Sequence, residues 1–226
     1  MLRLLIAFVA LIAVGTVADA TPLNSWKTSC SVDAGSLVKK GKTRTFKTSK
    51  NRCPGGTFKQ RSEIKSKNIS PNHKGKYLFT ANVSMTNARN EKFDIFQMHD
   101  GRDGCAPPLK VTVLSNNSIE LRADYKTGPG ESCVRDVLRH KKSNVKFKRG
   151  GVKQKLSVVI EFLGQANFTV QVYLDGKLAA SGNYVPPSGS GYKASRHFYF
   201  KHGVYSKNMF DYVMVSENMK VSRIRK

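Results

Sequence analysis

From residue 77 onward the chain repeats one pattern: short runs in which apolar and polar residues alternate, closed by turn-forming residues. Successive side chains of a strand point to opposite faces, so such a run buries one face and leaves the other to solvent. The runs fall at 77–85, 93–100, 110–115, 119–125, 156–163, 168–174, 177–184, 197–205 and 212–221. Between them stand Asn116-Asn117, Gly128-Pro129-Gly130, Gly150-Gly151, Asp175-Gly176 and Pro186-Pro187-Ser188-Gly189, residues that tolerate positive φ or preset a turn. Asp175-Gly176, set between two alternating runs, predicts a two-residue hairpin. Helical periodicity is nearly absent, and only 132–142 reads as a short helix. Residues 21–60, basic and rich in Gly, Ser and Thr, read as an extended arm with one or two edge strands. Many short strands joined by tight turns pack as a sandwich or jelly roll of antiparallel sheets, an all-β fold, rather than as βαβ units.

The first residues have the form of an export signal. Arg3 gives a short positive start, 4–14 is an apolar run too short to span a bilayer comfortably, and Ala18-Asp19-Ala20 supplies a small-x-small cleavage pattern. The expectation is a signal peptide over 1–20, one domain over 21–226, and a secreted, extracellular protein with no membrane association after the signal is removed. Removing 1–20 deletes one base, Arg3, and one acid, Asp19, so the formal charge stays at +24. A surplus this large implies a polyanionic partner, because summed positive potential steers anions to the surface. It does not say which polyanion. A nucleic acid is not expected, since no nucleic-acid motif is present and the chain reads as exported.

All four cysteines, Cys30, Cys53, Cys105 and Cys133, lie in the mature chain. In an exported protein an even count favours disulfides. Pairing in sequence order, Cys30–Cys53 and Cys105–Cys133, closes two local loops and is the expected connectivity. No metal is expected, because Cys-x-x-Cys and His-Glu-x-x-His spacings are both absent. Sequons at Asn68, Asn82, Asn116 and Asn167 are compatible with a glycoprotein, although Pro71 after Ser70 disfavours the first.

Three segments place charge-handling side chains at every second position of a strand: Arg61-Ser62-Glu63, Gln97-Met98-His99 and 199–205, Tyr-Phe-Lys-His-Gly-Val-Tyr. Arg61 with Glu63, Gln97 with His99, and Tyr199 with Lys201 and Tyr205 can each line one surface. Phe198, Phe200 and His202 have the opposite parity and are expected to turn away from it. Each residue alone has a plainer explanation. Arg61 and Glu63 suit a cross-strand ion pair, His99 a structural histidine, and the tyrosines sheet packing.

In this order, Arg-Ser-Glu, Gln-x-His and Tyr-Phe-Lys-x-Gly-x-Tyr resemble the signature blocks of alginate lyases of polysaccharide lyase family 7, with glucuronan lyases as relatives. The resemblance runs from 61 to 205, with Ile64-Lys65 in place of Leu-Arg and His202 in place of Ala. It implies a β-jelly roll sandwich of two antiparallel sheets with a concave cleft, acting on a polyuronate by β-elimination without a cofactor. It further implies that Arg61, Gln97 and His99 neutralise the substrate carboxylate and that Tyr205 is base, acid or both, with His99 as the other candidate base. Glu63, Lys65, Tyr199 and Lys201 are then substrate-binding. Alginate is the favoured acidic polysaccharide, glucuronan the next, and a monomer is expected.

Two other classes compete. A glycoside hydrolase needs two carboxylates flanking the scissile bond. Glu63 would have to find its partner among Asp94, Asp100, Asp103 and Glu161, and strict alternation puts Asp94 and Asp100 on the face opposite Gln97 and His99. A non-catalytic jelly roll that binds acidic polysaccharide is equally consistent with the charge.

Overall fold

The computed structural model of the chain describes residues 21–51, 59–87, 89–102, 104–135, 137–186 and 193–225. The signal-peptide expectation, and the Cys30–Cys53 pairing through Cys53, lie outside the described residues. Fourteen of the strands form two large antiparallel sheets. The front sheet runs in the order β1 (Trp26–Thr28), β4 (Gln60–Ser66), β15 (Tyr199–Ser206), β6 (Phe93–His99), β7 (Leu109–Val113), β8 (Ile119–Arg122). The back sheet runs β11 (Arg139–Lys142), β14 (Lys177–Tyr184), β13 (Asn167–Leu174), β12 (Gln154–Gly164), β5 (Lys74–Asn87), β16 (Tyr212–Ile224), β3 (Thr43–Lys47), β2 (Leu37–Lys40). A small ribbon pairs β9 (Tyr125–Lys126) with β10 (Cys133–Val134). The only helical turn among the described residues is a 3₁₀ turn, Pro22–Asn24, capped by the Thr21 hydroxyl.

The back sheet follows the alternation that its sequence shows. On β5, Tyr77, Phe79, Ala81, Val83 and Met85 face inward, and on β12 Leu156, Val158, Ile160 and Phe162 do the same. Rings then bridge the sheets: Phe79 meets Phe96 at 5.0 Å between centroids, and Phe162 stacks on Phe200 at 6.4 Å. Each such fully buried ring contributes roughly 1.5–3 kcal/mol. The hairpin at Asp175-Gly176 forms, with both residues at positive φ (50° and 77°) and Leu174 opposite Lys177.

Two sequence expectations are corrected. The described residues within 132–142 are not helical: β10 pairs with β9, and β11 adds to the open edge of β14 with Arg139 opposite Asn183. A single short helix is marginal in water, whereas a sheet edge offers a ready row of backbone partners. The Cys105–Cys133 disulfide forms as expected and tethers this segment. Strict alternation also fails on β6. Asp94 lies opposite Thr112 and Phe96 opposite Val111, so Ile95 is an extra residue without a partner on β7. This bulge turns both Ile95 and Phe96 into the core, and moves Asp94 to the face shared by Gln97 and His99.

His202 closes the bulge from behind. It is fully buried, its Nδ1 donates to the Ile95 carbonyl at 2.9 Å, and its Nε2 accepts from the Ser216 hydroxyl at 2.7 Å. Burial, opposed by the Ile95 bond, brings its pKa down to about 4, so it is a neutral core histidine. Gly203, next along β15, has φ +144°, and a Cβ there would sit 2.2 Å from the Ser62 carbonyl oxygen. Only glycine lets β15 approach β4 this closely. Gly203→Ala is therefore expected to cost about 2 kcal/mol or more, read as a lowered urea midpoint with an unchanged m-value.

Candidate active site

The three sequence blocks become neighbouring strands. β15 lies between β4 and β6, with Tyr205 opposite Arg61, Lys201 opposite both Lys65 and Gln97, and Tyr199 opposite His99. All of these side chains share the outer face of the front sheet. The burial pattern marks the place. β4, β6 and β7 are buried on both faces, although their outer face carries the polar residues Arg61, Glu63, Asp94, Gln97, Lys110 and Thr112.

Glu63 sits at the centre, 1% exposed. Its Oε1 accepts from the Gln97 amide at 3.0 Å, while its Oε2 faces Arg61 Nε at 3.5 Å and Lys201 Nζ at 3.9 Å. Burial raises its pKa, and the cations Lys201 and Arg61 oppose that shift. Lys201 is pulled down to about 8 by burial, with Glu63 resisting and Arg61 and Lys65 adding to the shift. Glu63 is thus a buried counter-ion beneath the surface rather than a group a substrate can reach.

Gln97 is also fully buried. Because its NH2 is committed to Glu63, its Oε1 accepts from His99 Nε2–H at 2.7 Å. That bond leaves the lone pair of His99 on Nδ1. Burial first, then Lys201, Arg61, Lys110 and Lys65, holds the His99 pKa well below the usual range, so the ring is neutral. His99 stacks on Tyr199 at 5.5 Å and 24°. The Arg61 guanidinium lies 4.4 Å from the centroid of the half-buried Tyr205 ring, and Lys65 Nζ lies 5.7 Å from that of Tyr199.

The register adds residues that the sequence blocks do not contain. Arg122 lies opposite Lys110, Lys110 opposite Gln97, Gln97 opposite Lys201, Lys201 opposite Lys65, and Lys65 opposite Lys27. One row across the front sheet therefore carries a cation on every strand but β6, at strand spacings of about 4.8 Å. Asp94 lies beneath this row, held by Lys110 at 3.0 Å and the Thr112 hydroxyl at 2.6 Å. Lys27, Lys110 and Arg122 each read as an ordinary lysine or arginine until pairing sets their neighbours. Of the carboxylates a hydrolase would need, Glu63 and Asp94 are buried and paired, and Asp100 is buried against Arg102. Glu161 is on the outside of the back sheet with Lys76, and Asp103 lies outside the described residues.

The jelly roll thus carries one cationic, tyrosine-bearing face across its front sheet. The family model described as alginate lyase matches residues 31–222, and the chain belongs to that family. Solved structures share the fold. Alginate lyase AlgAT5 from polysaccharide lyase family 7 has 15% identity and a TM-score of 0.57, covering 90% of this chain and 96% of its own. Alginate lyase A1-II′, a member of the same family, has 14% identity and a TM-score of 0.57 over 90% and 96%. The alginate lyase from Alteromonas sp. 272 has 14% and 0.54 over 89% and 95%. No curated protein matches the chain in sequence.

Glu63→Gln leaves Arg61 and Lys201 without their anion and is expected to destabilise the fold by roughly 3 kcal/mol or more. The sign of the pH dependence follows from Lys201. Its folded pKa of about 8 lies below the unfolded lysine value. The unfolded chain therefore binds more protons between the two values, and this group's contribution to stability rises with pH across that window. Removing Glu63 lowers the folded value further, so in Glu63→Gln the rise begins at lower pH. Urea titrations at stepped pH measure both effects.

Proposed function

We propose that the protein cleaves a 4-linked polyuronate by β-elimination on its front face, with alginate as substrate. The observation that carries this reading is the convergence of Arg61, His99, Lys201 and Tyr205 on adjacent strands around one buried carboxylate. The reaction removes the proton at C5, forms the C4–C5 double bond, breaks the C4–O bond and protonates the departing oxygen. The C5 proton is scarcely acidic while its neighbouring carboxylate is ionised, because removing it adds charge to an anion. Arg61, together with Lys201, stabilises that charge as it develops, and a guanidinium can hold a carboxylate in a two-pronged fork.

Tyr205 supplies the proton to the leaving oxygen. It also takes the C5 proton where that hydrogen lies on its side of the ring. For the epimer whose C5 hydrogen is on the other side, the Nδ1 lone pair of His99 is the base. Gln97 orients His99 and fixes its tautomer rather than touching the sugar. Lys65 and Tyr199 extend the surface on which the chain lies, and the cationic row follows successive carboxylates of a polymer crossing the strands. A tyrosine-to-phenylalanine variant of the structural relative A1-II′ has been solved in complex with a product, GGG.

The polymer test follows directly. The protein without residues 1–20 is incubated separately with polymannuronate, polyguluronate and glucuronan, and the ultraviolet absorbance of the conjugated C4–C5 double bond is followed. Absorbance should rise with at least one alginate block; reducing ends without absorbance would show hydrolysis instead. Tyr205→Phe removes one hydroxyl and is expected to lower kcat about 10³-fold with little change in polymer binding. A protein that binds polymer but never produces absorbance, with or without Tyr205, would be a binding module. Screening by salt should raise KM, since the row of cations attracts the polymer at long range.

A further inference from the structure

A second cationic recess lies at the rim of the sandwich, between the edge strand β1 and the strands β3 and β16. Trp26, Lys42, Arg44, Asn218 and Lys220 are among the residues around a cavity of about 430 Å³. Arg44 is two residues from the fully buried Phe46 on β3, so it points inward from the back sheet. It is half-buried, burial lowers its pKa, and no carboxylate or other acceptor pairs with it among the described residues. A guanidinium drawn out of water without a counter-ion is costly, and such groups are ordinarily paired.

No carboxylate lines the recess to offset its cations. Glu217, adjacent on β16, is taken by Lys153 at 2.6 Å. The backbone is held in place: Asn218, at φ 53°, gives its N–H to the Lys42 carbonyl at 3.1 Å, joining the bulge of β16 to the β2–β3 turn. Trp26 forms one wall. Its ring packs edge-on against Phe79 at 6.0 Å, while its neighbour Lys27 lies opposite Lys65 at the end of the front row. The recess thus opens round the edge of the sheet from the proposed cleft, and is separate from it.

We propose that this recess is a second binding site for an acidic saccharide, with Arg44 pairing to a carboxylate and the indole of Trp26 packing against the sugar ring. Lys42 and Lys220 supply the surrounding positive potential. The proposal shares with the functional reading only the class of ligand.

Trp26 is the sole tryptophan of the chain, so its emission is a probe placed at this recess, with Arg61→Ala as the control for the front face. Emission is followed as the protein is titrated with trimannuronate, neutral maltotriose, sodium sulfate and sodium chloride at matched ionic strength. Trimannuronate should give a saturable change, weakened about tenfold or more in Arg44→Gln and retained in Arg61→Ala. No saturable change, or one that survives Arg44→Gln, overturns the site. Saturation by maltotriose, or by sulfate at the same concentration, overturns the acidic-saccharide assignment. Arg44→Lys should bind between wild type and Arg44→Gln. If Arg44→Gln does not fold, as judged by its thermal transition, the exposed Lys220→Gln replaces it, with weakened trimannuronate binding expected and unchanged binding counting against the site. Cleavage is read separately by double-bond absorbance, so a protein with no lyase activity and an intact indole response separates the two readings.

Discussion

Everything on the front face is arranged around one buried anion. A carboxylate removed from water is tolerated only when paired and hydrogen-bonded, and Glu63 draws its partners from three strands: Arg61 on its own strand, Lys201 on the adjacent β15 and Gln97 on β6 beyond it. Each partner is thereby fixed in place before any ligand arrives. Gln97 passes the constraint on, since the orientation of its amide determines which nitrogen of His99 carries the proton. Asp94 repeats the device one step away, beneath Lys110. The face can therefore concentrate cations at its surface, because the opposing charges are buried below them.

Two histidines show how environment, rather than residue type, assigns a role. His99 and His202 are both neutral and both hydrogen-bonded. His202 has both ring nitrogens engaged within the core, by Ile95 and Ser216, and serves to hold the bulge of β6. His99 has one nitrogen engaged and the other without a partner among the described residues, on a half-buried edge beside Tyr199. Only the second can exchange a proton with something outside the protein. The bulge connects the two, because it lets Ile95 and Phe96 both enter the core while Asp94 stays in front.

Much of this was legible in the chain. Alternation and turn residues identify nearly every strand from 74 to 224, because a half-buried strand has a period of two that local composition records directly. The parity of Arg61, Glu63, Gln97, His99, Tyr199, Lys201 and Tyr205 is local as well, as is the inward turn of His202. The strands at 133–134 and 139–142 were not legible, since their conformation is imposed by partners elsewhere. Nor was the place of Asp94, because a bulge leaves no mark in composition and reverses parity from that point on.

What the amino-acid order determined by itself is which side chains share a face of their own strand. What only the tertiary structure decided is which strands lie side by side, and hence that Lys27, Lys65, Lys201, Lys110 and Arg122 form one row while Glu63 and Gln97 are buried beneath the surface. The physical reason is range. Alternation is a property of neighbouring residues along the backbone, whereas register and burial arise from hydrogen bonds and packing between segments far apart in the chain.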